Sequence, residues 1–170
     1  MESIIVRSCI KPTLKRRQLL KATLIAGSGV ALLALTGSFV PPDYLRFLGW
    51  PLLFIGGALI AWGMVPYRRL CRKEDCPDEL HVVNGQYLRY HVKGKPVFSV
   101  PFASIAAMRH IDSAGGYGIA VSLKEGSAPV IVHDHRFDYP RFRSRSERFS
   151  KTSLFFPYFS RQSMTRLLFC

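Results

Sequence analysis

Two histidines flank an aspartate at His133-Asp134-His135, with His110 and Asp112 upstream of them. Imidazole and carboxylate suit borderline divalent metals, and on a strand residues 133 and 135 face the same side because strand side chains alternate. His133 and His135 are therefore the candidate metal ligands, against the plainer alternative of polar residues at a solvent-facing strand end. A metal-dependent enzyme centred on that pair is one function to carry forward. Cys71 and Cys76 have a Cys-x4-Cys spacing with His81 downstream, but a zinc site needs a second recognisable ligand pair and none accompanies them. No Gly-x-Ser-x-Gly nucleophile motif occurs. Gly115-Gly116-x-Gly118 lies between β patterns with no helix start behind it, so it lacks the dipole of a phosphate loop and marks a hairpin turn. We therefore expect no catalytic residues and no cofactor.

Binding chemistry is better represented. Arg136, Arg141, Arg143, Arg145, Arg148 and Lys151 are interleaved with Phe137, Tyr139, Phe142 and Phe149 and follow no clear period. The pattern predicts an Arg-rich loop over 136–151, or a short helix around 139–149. Such a segment suits the inner leaflet of a membrane, where each cation near an anionic surface is worth about 1 kcal/mol. It also suits an acidic protein or a nucleic-acid strand, since bases stack on aromatic side chains. The third alternative is a solvated loop whose aromatics pack on a sheet. Those six cations are the candidate lipid- or partner-binding residues.

The elements that must position these groups are of two kinds. Residues 22–40 and 47–65 are two runs of 19 residues each without a single Asp, Glu, Lys or Arg. As helices each is roughly 28 Å long, close to the hydrocarbon thickness of a bilayer. They predict a membrane α-hairpin of two transmembrane helices over 22–67, turning at Pro41-Pro42-Asp43-Tyr44-Leu45-Arg46. Arg7, Lys11, Lys15, Arg16, Arg17 and Lys21 precede the first run, and Arg68, Arg69, Arg72 and Lys73 follow the second. Basic flanks stay on the cytoplasmic side, so both termini, including a basic N-terminal segment 1–21, are expected inside a bacterial cytoplasmic (inner) membrane. Tyr44 and Trp50 fit the outer boundary, and Trp62 and Tyr67 the inner one. Pro51 falls in the expected first turn of the second helix, where its missing N–H costs little. Gly27, Gly29, Gly56 and Gly57 either let the helices approach closely or reflect ordinary membrane-helix composition.

A different topology competes with the hairpin. Lys15-Arg16-Arg17-Gln18-Leu19-Leu20-Lys21, ahead of an Ala- and Gly-rich apolar stretch, resembles a twin-arginine export signal. If it acts as one, the chain beyond about residue 39 faces the periplasm. Against export, the run is long for a signal core, no small-x-small cleavage site precedes Pro41, and a second apolar run follows closely.

Charge follows the same division. The formal net charge is +13, with 11 basic and 2 acidic residues in 1–73 but 13 basic and 9 acidic in 74–170. The high basicity is mostly topological signal, and nucleic acid is not an expected partner. Cys9, Cys71, Cys76 and Cys170 are scattered and, in a cytoplasmic setting, are expected as free thiols.

Residues 74–170 are enough for one small core. Residues 80–83 lead into Asn84-Gly85, the strongest short hairpin signal, and 87–92 follow with β alternation. Lys93-Gly94-Lys95 turns into 96–100, and 105–111 reads as the next strand. Ser113-Ala114-Gly115-Gly116 turns into 117–123, and Lys124-Glu125-Gly126-Ser127 precedes the run 130–132. After the Arg-rich segment come a final strand over 153–156 and a helix over 161–169, with Ser160 as its N-cap.

Particular stretches carry a resemblance. Leu88-Arg89-Tyr90-His91 lies on an early strand, and Ser99-Val100-Pro101-Phe102-Ala103-Ser104-Ile105 leads into a central one. Tyr117-Gly118-Ile119-Ala120-Val121 follows, and Phe156-Pro157-Tyr158-Phe159-Ser160 begins the closing segment. With the two apolar helices ahead of them, these stretches are similar to bacterial two-pass membrane proteins carrying a pleckstrin-homology-like (PH-like) domain. The resemblance implies a small mainly-β domain over 74–170, a bent antiparallel sheet or partial barrel of about 6–7 strands with a C-terminal helix. It implies no reaction, because such domains are scaffolds with varied roles. The expected function is a non-catalytic, membrane-anchored interaction or regulatory module that binds a protein partner and anionic lipid headgroups.

Overall fold

Sequence alternation and turn chemistry account for most of what a computed structural model of the chain contains. The structure describes residues 4–113, 116–126 and 129–168. Ala114 and Gly115 of one expected turn, Ser127 of another, and Phe169 and Cys170 lie outside the described residues. The chain divides into two compact units: residues 11–73, and the segment before Lys11 together with the chain from Glu74 onward.

The first unit is a pair of helices, α1 (Pro12–Phe39) and α2 (Pro42–Asp75). Both are long and apolar enough to cross a membrane, with mean hydropathy of 1.8 and 1.5 over their best windows and only 11% of either window buried. Leu24, Phe39, Phe47, Trp50, Phe54 and Trp62 are among the large side chains left exposed. Helices this apolar inside a soluble core would be covered, and these are not. The connection is tighter than the sequence predicts: Val40 and Pro41 alone separate the helices. Pro51 is consequently interior to α2, as is Pro66, so each removes an N–H from the middle of the helical ladder.

Glycine makes the close contact between the two helices. A methyl group on Gly29 would meet the Gly56 carbonyl oxygen at 2.7 Å, and one on Gly63 would meet the Ala26 backbone nitrogen at 3.0 Å. A methyl group on Gly56 would run into Leu33. Gly27 and Gly57 have open space around them. Of the four expected glycines, Gly29 and Gly56 are contact positions, Gly27 and Gly57 are not, and Gly63 joins the set.

Among its described residues the second unit holds eight strands, two α-helices and one short 3-10 turn. Strands β1 (Ile4–Arg7), β2 (Glu79–Val83), β3 (Tyr87–Val92), β4 (Lys95–Pro101) and β7 (Ile131–Val132) form one sheet in the order β1-β2-β3-β4-β7. Strands β5 (Ile105–Ser113), β6 (Gly116–Leu123) and β8 (Leu154–Pro157) form a second in the order β5-β6-β8. Every pairing among the described strands is antiparallel. Asn84 and Gly85 both take positive φ, 54° and 66°, which is the turn that matches the twist of paired strands. The expected strands therefore exist with nearly the expected limits, and they split into two sheets around one core.

That core is aromatic and aliphatic. Leu80, Leu88, Phe98 and Val100 from the first sheet meet Ile119, Val121, Leu154 and Phe156 from the second, and all are essentially inaccessible. Helix α3 (Tyr139–Ser150) presses Phe142 onto Tyr90, Phe98 and Phe156 at ring separations of 5.6–6.2 Å. Helix α4 (Arg161–Leu168) adds Leu167 to the same core, and the Ser160 hydroxyl accepts from the Ser163 N–H at 3.1 Å, the expected N-cap.

The N-terminal segment, expected only as a basic flank, contributes the edge strand. Ile4 to Arg7 pair with Val82 to Glu79 across more than 70 residues of intervening chain. Ser8 N–H donates to the Asp78 carbonyl and the Asp78 N–H donates to the Ser8 hydroxyl, at 2.8 and 2.9 Å. Cys9 N–H donates to the Tyr158 carbonyl, and the Tyr117 hydroxyl donates to the Cys9 carbonyl.

Candidate functional site

The Arg-rich segment is a helix. Asp138 caps it by accepting from the Arg141 N–H at 3.0 Å, Pro140 sits in its first turn, and Lys151 ends it in the left-handed conformation. At 3.6 residues per turn, Tyr139, Phe142, Ser146 and Ser150 share one face, and Ser146 and Ser150 are buried there. The two serines satisfy their hydroxyls locally, donating to the carbonyls of Phe142 and Ser146 at 2.9 and 2.7 Å. Arg141, Arg145 and Arg148 fall at the i, i+4 and i+7 positions of the opposite face, and all three are exposed. Arg143 is exposed on the flank and pairs with Glu147 at 3.0 Å. Arg136, in the turn before α3, and Lys151, at its end, are exposed as well. All six predicted binding residues thus lie in one segment, and three form a stripe held rigid by the aromatic packing beneath it.

The histidines are distributed differently from the sequence expectation. Strand β7 ends at Val132, so the alternation that would align residues 133 and 135 stops short of them. His133 Nε2 is 2.7 Å from the Ser99 hydroxyl, and that hydroxyl accepts from Arg89 Nε at 3.2 Å. His135 is exposed in the following turn. His110 is on β5 of the other sheet, with its Nε2 3.2 Å from the Phe159 carbonyl oxygen. Cys9, Cys71 and Cys76 carry free thiols.

A cluster missed in the sequence appears on β2 and β3. Alternation buries Leu80 and Val82 and turns Glu79 and His81 to the opposite face, while the antiparallel register sets Glu79 directly across from His91. His81 and His91 stack with ring centres 3.9 Å apart, and His81 Nε2 lies 2.8 Å from Glu79 Oε2. The second carboxylate oxygen, Oε1, accepts from Arg7 Nε at 2.8 Å. The hydrogen bond from His81, with Arg7 adding to it, holds the Glu79 carboxyl below the usual range. Burial, then the neighbouring charge of His81, pushes the His91 imidazole down. A signal for this cluster exists in the sequence. The signal is partial: a two-residue Asn84-Gly85 turn would set Glu79 opposite Tyr90, whereas the loop also takes in Gln86, pairs Val83 with Tyr87, and so brings Glu79 opposite His91.

No family model matches the sequence, and no curated protein or solved structure matches it either.

Proposed function

We propose that the chain is a two-pass protein of a bacterial cytoplasmic membrane, and that its PH-like β domain is a non-catalytic module holding anionic lipid headgroups and a protein partner on the cytoplasmic side. The observation that carries this proposal is the exposed stripe of Arg141, Arg145 and Arg148 on a helix whose other face is locked into the core. A rigid row of guanidinium groups meets phosphate oxygens with fork geometry and without having to be ordered first. Two helices apolar enough to cross a membrane, with their large side chains uncovered, supply the anchor. The pairing of β1 with β2 supports an even number of crossings, since strands from before α1 and after α2 belong to one sheet.

The test uses the full chain in nanodiscs, with a fluorophore on α3 at Ser144→Cys that reports proximity to the bilayer. Discs containing phosphatidylglycerol are expected to quench or shift the signal relative to pure phosphatidylcholine discs. Replacing Arg141, Arg145 and Arg148 together by Gln is expected to remove the difference. At about 1 kcal/mol per cation the loss amounts to roughly 100-fold in apparent lipid affinity. Equal signals in both lipids would remove lipid contact from the proposal. A C-terminal reporter pair active on opposite sides of the membrane tests the orientation, and a periplasmic C-terminus would restore the twin-arginine export alternative.

A further inference from the structure

We infer that Glu79, His81 and His91 form a binding site for a borderline divalent transition-metal ion, with zinc as the natural occupant. Each residue offers one ligand atom, and among the described residues these atoms lie within 4.8 Å of one another, the one such group of three. Tetrahedral zinc with bonds near 2.1 Å sets its ligands about 3.4 Å apart, so small side-chain rotations close the three atoms on an ion. Two imidazoles and one carboxylate match the ligand preference of zinc and its neighbours, and they are poor ligands for calcium or magnesium, which take oxygen shells.

Two further features point to a ligand. Among the described residues the His91 Nε2 atom is buried without a hydrogen-bond partner. A buried imidazole nitrogen without a hydrogen-bond partner is satisfied when it gives its lone pair to an ion. Arg7 Nε grips Glu79 Oε1 from the neighbouring strand and leaves Oε2 facing the two rings. On loading, the ion replaces the hydrogen bond between His81 Nε2 and Glu79 Oε2, and any proton on that nitrogen moves to Nδ1 by tautomer exchange. Three protein ligands leave one position for water or for a group from a partner. The strands fix the backbone at all three positions, so the site is built on rigid elements.

The experiment is a Co²⁺ titration of the full chain, purified in detergent without a polyhistidine tag and stripped with a chelator. One equivalent of Co²⁺ is expected to give visible d–d absorption, which Zn²⁺ abolishes and Mg²⁺ leaves unchanged. His81→Asn and His91→Asn are each expected to weaken binding at least ~10-fold, whereas His133→Asn and His135→Asn are expected to leave it within ~2-fold. Absence of saturable binding overturns the proposal. So does binding that survives at His81→Asn and His91→Asn but disappears at His133→Asn or His135→Asn. If an asparagine variant fails to fold, carbethoxylation of the unsubstituted protein decides instead. Zn²⁺ is expected to protect His81 and not His135, and equal modification of His81 with and without Zn²⁺ overturns the site.

Discussion

At the scale of single residues, the β unit is organised around Phe98, whose ring lies 5.4–6.1 Å from those of Tyr90, Phe137, Tyr139, Phe142 and Phe156. Phe98→Ala is expected to cost about 3–5 kcal/mol, because so many rigid rings surround the space that they cannot collapse into it. Thermal unfolding of the full chain in detergent, followed by near-UV circular dichroism, measures the loss. Tyr90 contributes differently. Burial, reinforced by the charge of Asp78, raises its pKa well above the ordinary 10.0. Below pH 10 the folded and unfolded chains both keep the phenolic proton, so this group adds no pH dependence there. Above pH 10 the unfolded chain loses the proton while the folded one retains it, and stability falls as pH rises. Tyr90→Phe is expected to cost about 1 kcal/mol at neutral pH through the lost hydrogen bond to the Asp78 side chain, and to flatten the decline between about pH 10 and 12. Tyr139 and Tyr158, also raised chiefly by burial, keep part of the slope. Equal slopes in the two proteins would remove Tyr90 from this role.

At the scale of elements, legibility tracked how local the determining signal was. The strands β2 to β6 announce themselves because alternation and tight turns such as Asn84-Gly85 and Lys93-Gly94 act within a few residues. Helix α3 agrees with the short helix around 139–149, but the sequence leaves that alternative level with a loop because two of the residues on its inner face are serines, which carry no apolar period. Strand β1 hid more completely, since four residues beside a basic flank acquire meaning only through a partner more than 70 positions away. The same holds for Glu79, His81 and His91, which are 12 residues apart in sequence and meet only through register. Helix pairing gives a sharp test at this scale. Gly29→Leu drives a side chain into the Gly56 carbonyl, which is backbone and cannot step aside, while Gly27→Leu enters open space. The first substitution is expected to lower the midpoint for heat-induced loss of monodisperse protein in detergent, by a margin equivalent to about 1–3 kcal/mol. The second is expected to leave it unchanged, and equal shifts would mean that the glycines reflect composition alone.

At the scale of the whole molecule, β1 ties topology to folding. The sheet is complete only if the segment before α1 and the chain after α2 fold in the same compartment, whichever side that is. Export with processing near residue 40 would detach β1 from its own domain, leave β2 as an open edge and strip the Ser8 and Cys9 backbone partners from Asp78 and Tyr158. The chain carries its own reporters of topology, because the exposed thiols Cys9 and Cys76 precede and follow the helical pair in sequence. Two variants, each keeping one of these cysteines and carrying Ser at the other three positions, can be treated in intact cells with a membrane-impermeant maleimide. Both are expected to stay unlabelled until the membrane is permeabilised, and then to label together. Labelling of both from outside would keep the two-pass hairpin and reverse its orientation, against the basic flanks. Labelling of Cys76 but not Cys9 from outside would mean one crossing, and with it a domain folded without its edge strand. In that case Val6→Asp, placed where β1 is buried, leaves stability unchanged. With both flanks on one side, the same substitution buries a charge in the edge of the core and costs several kcal/mol.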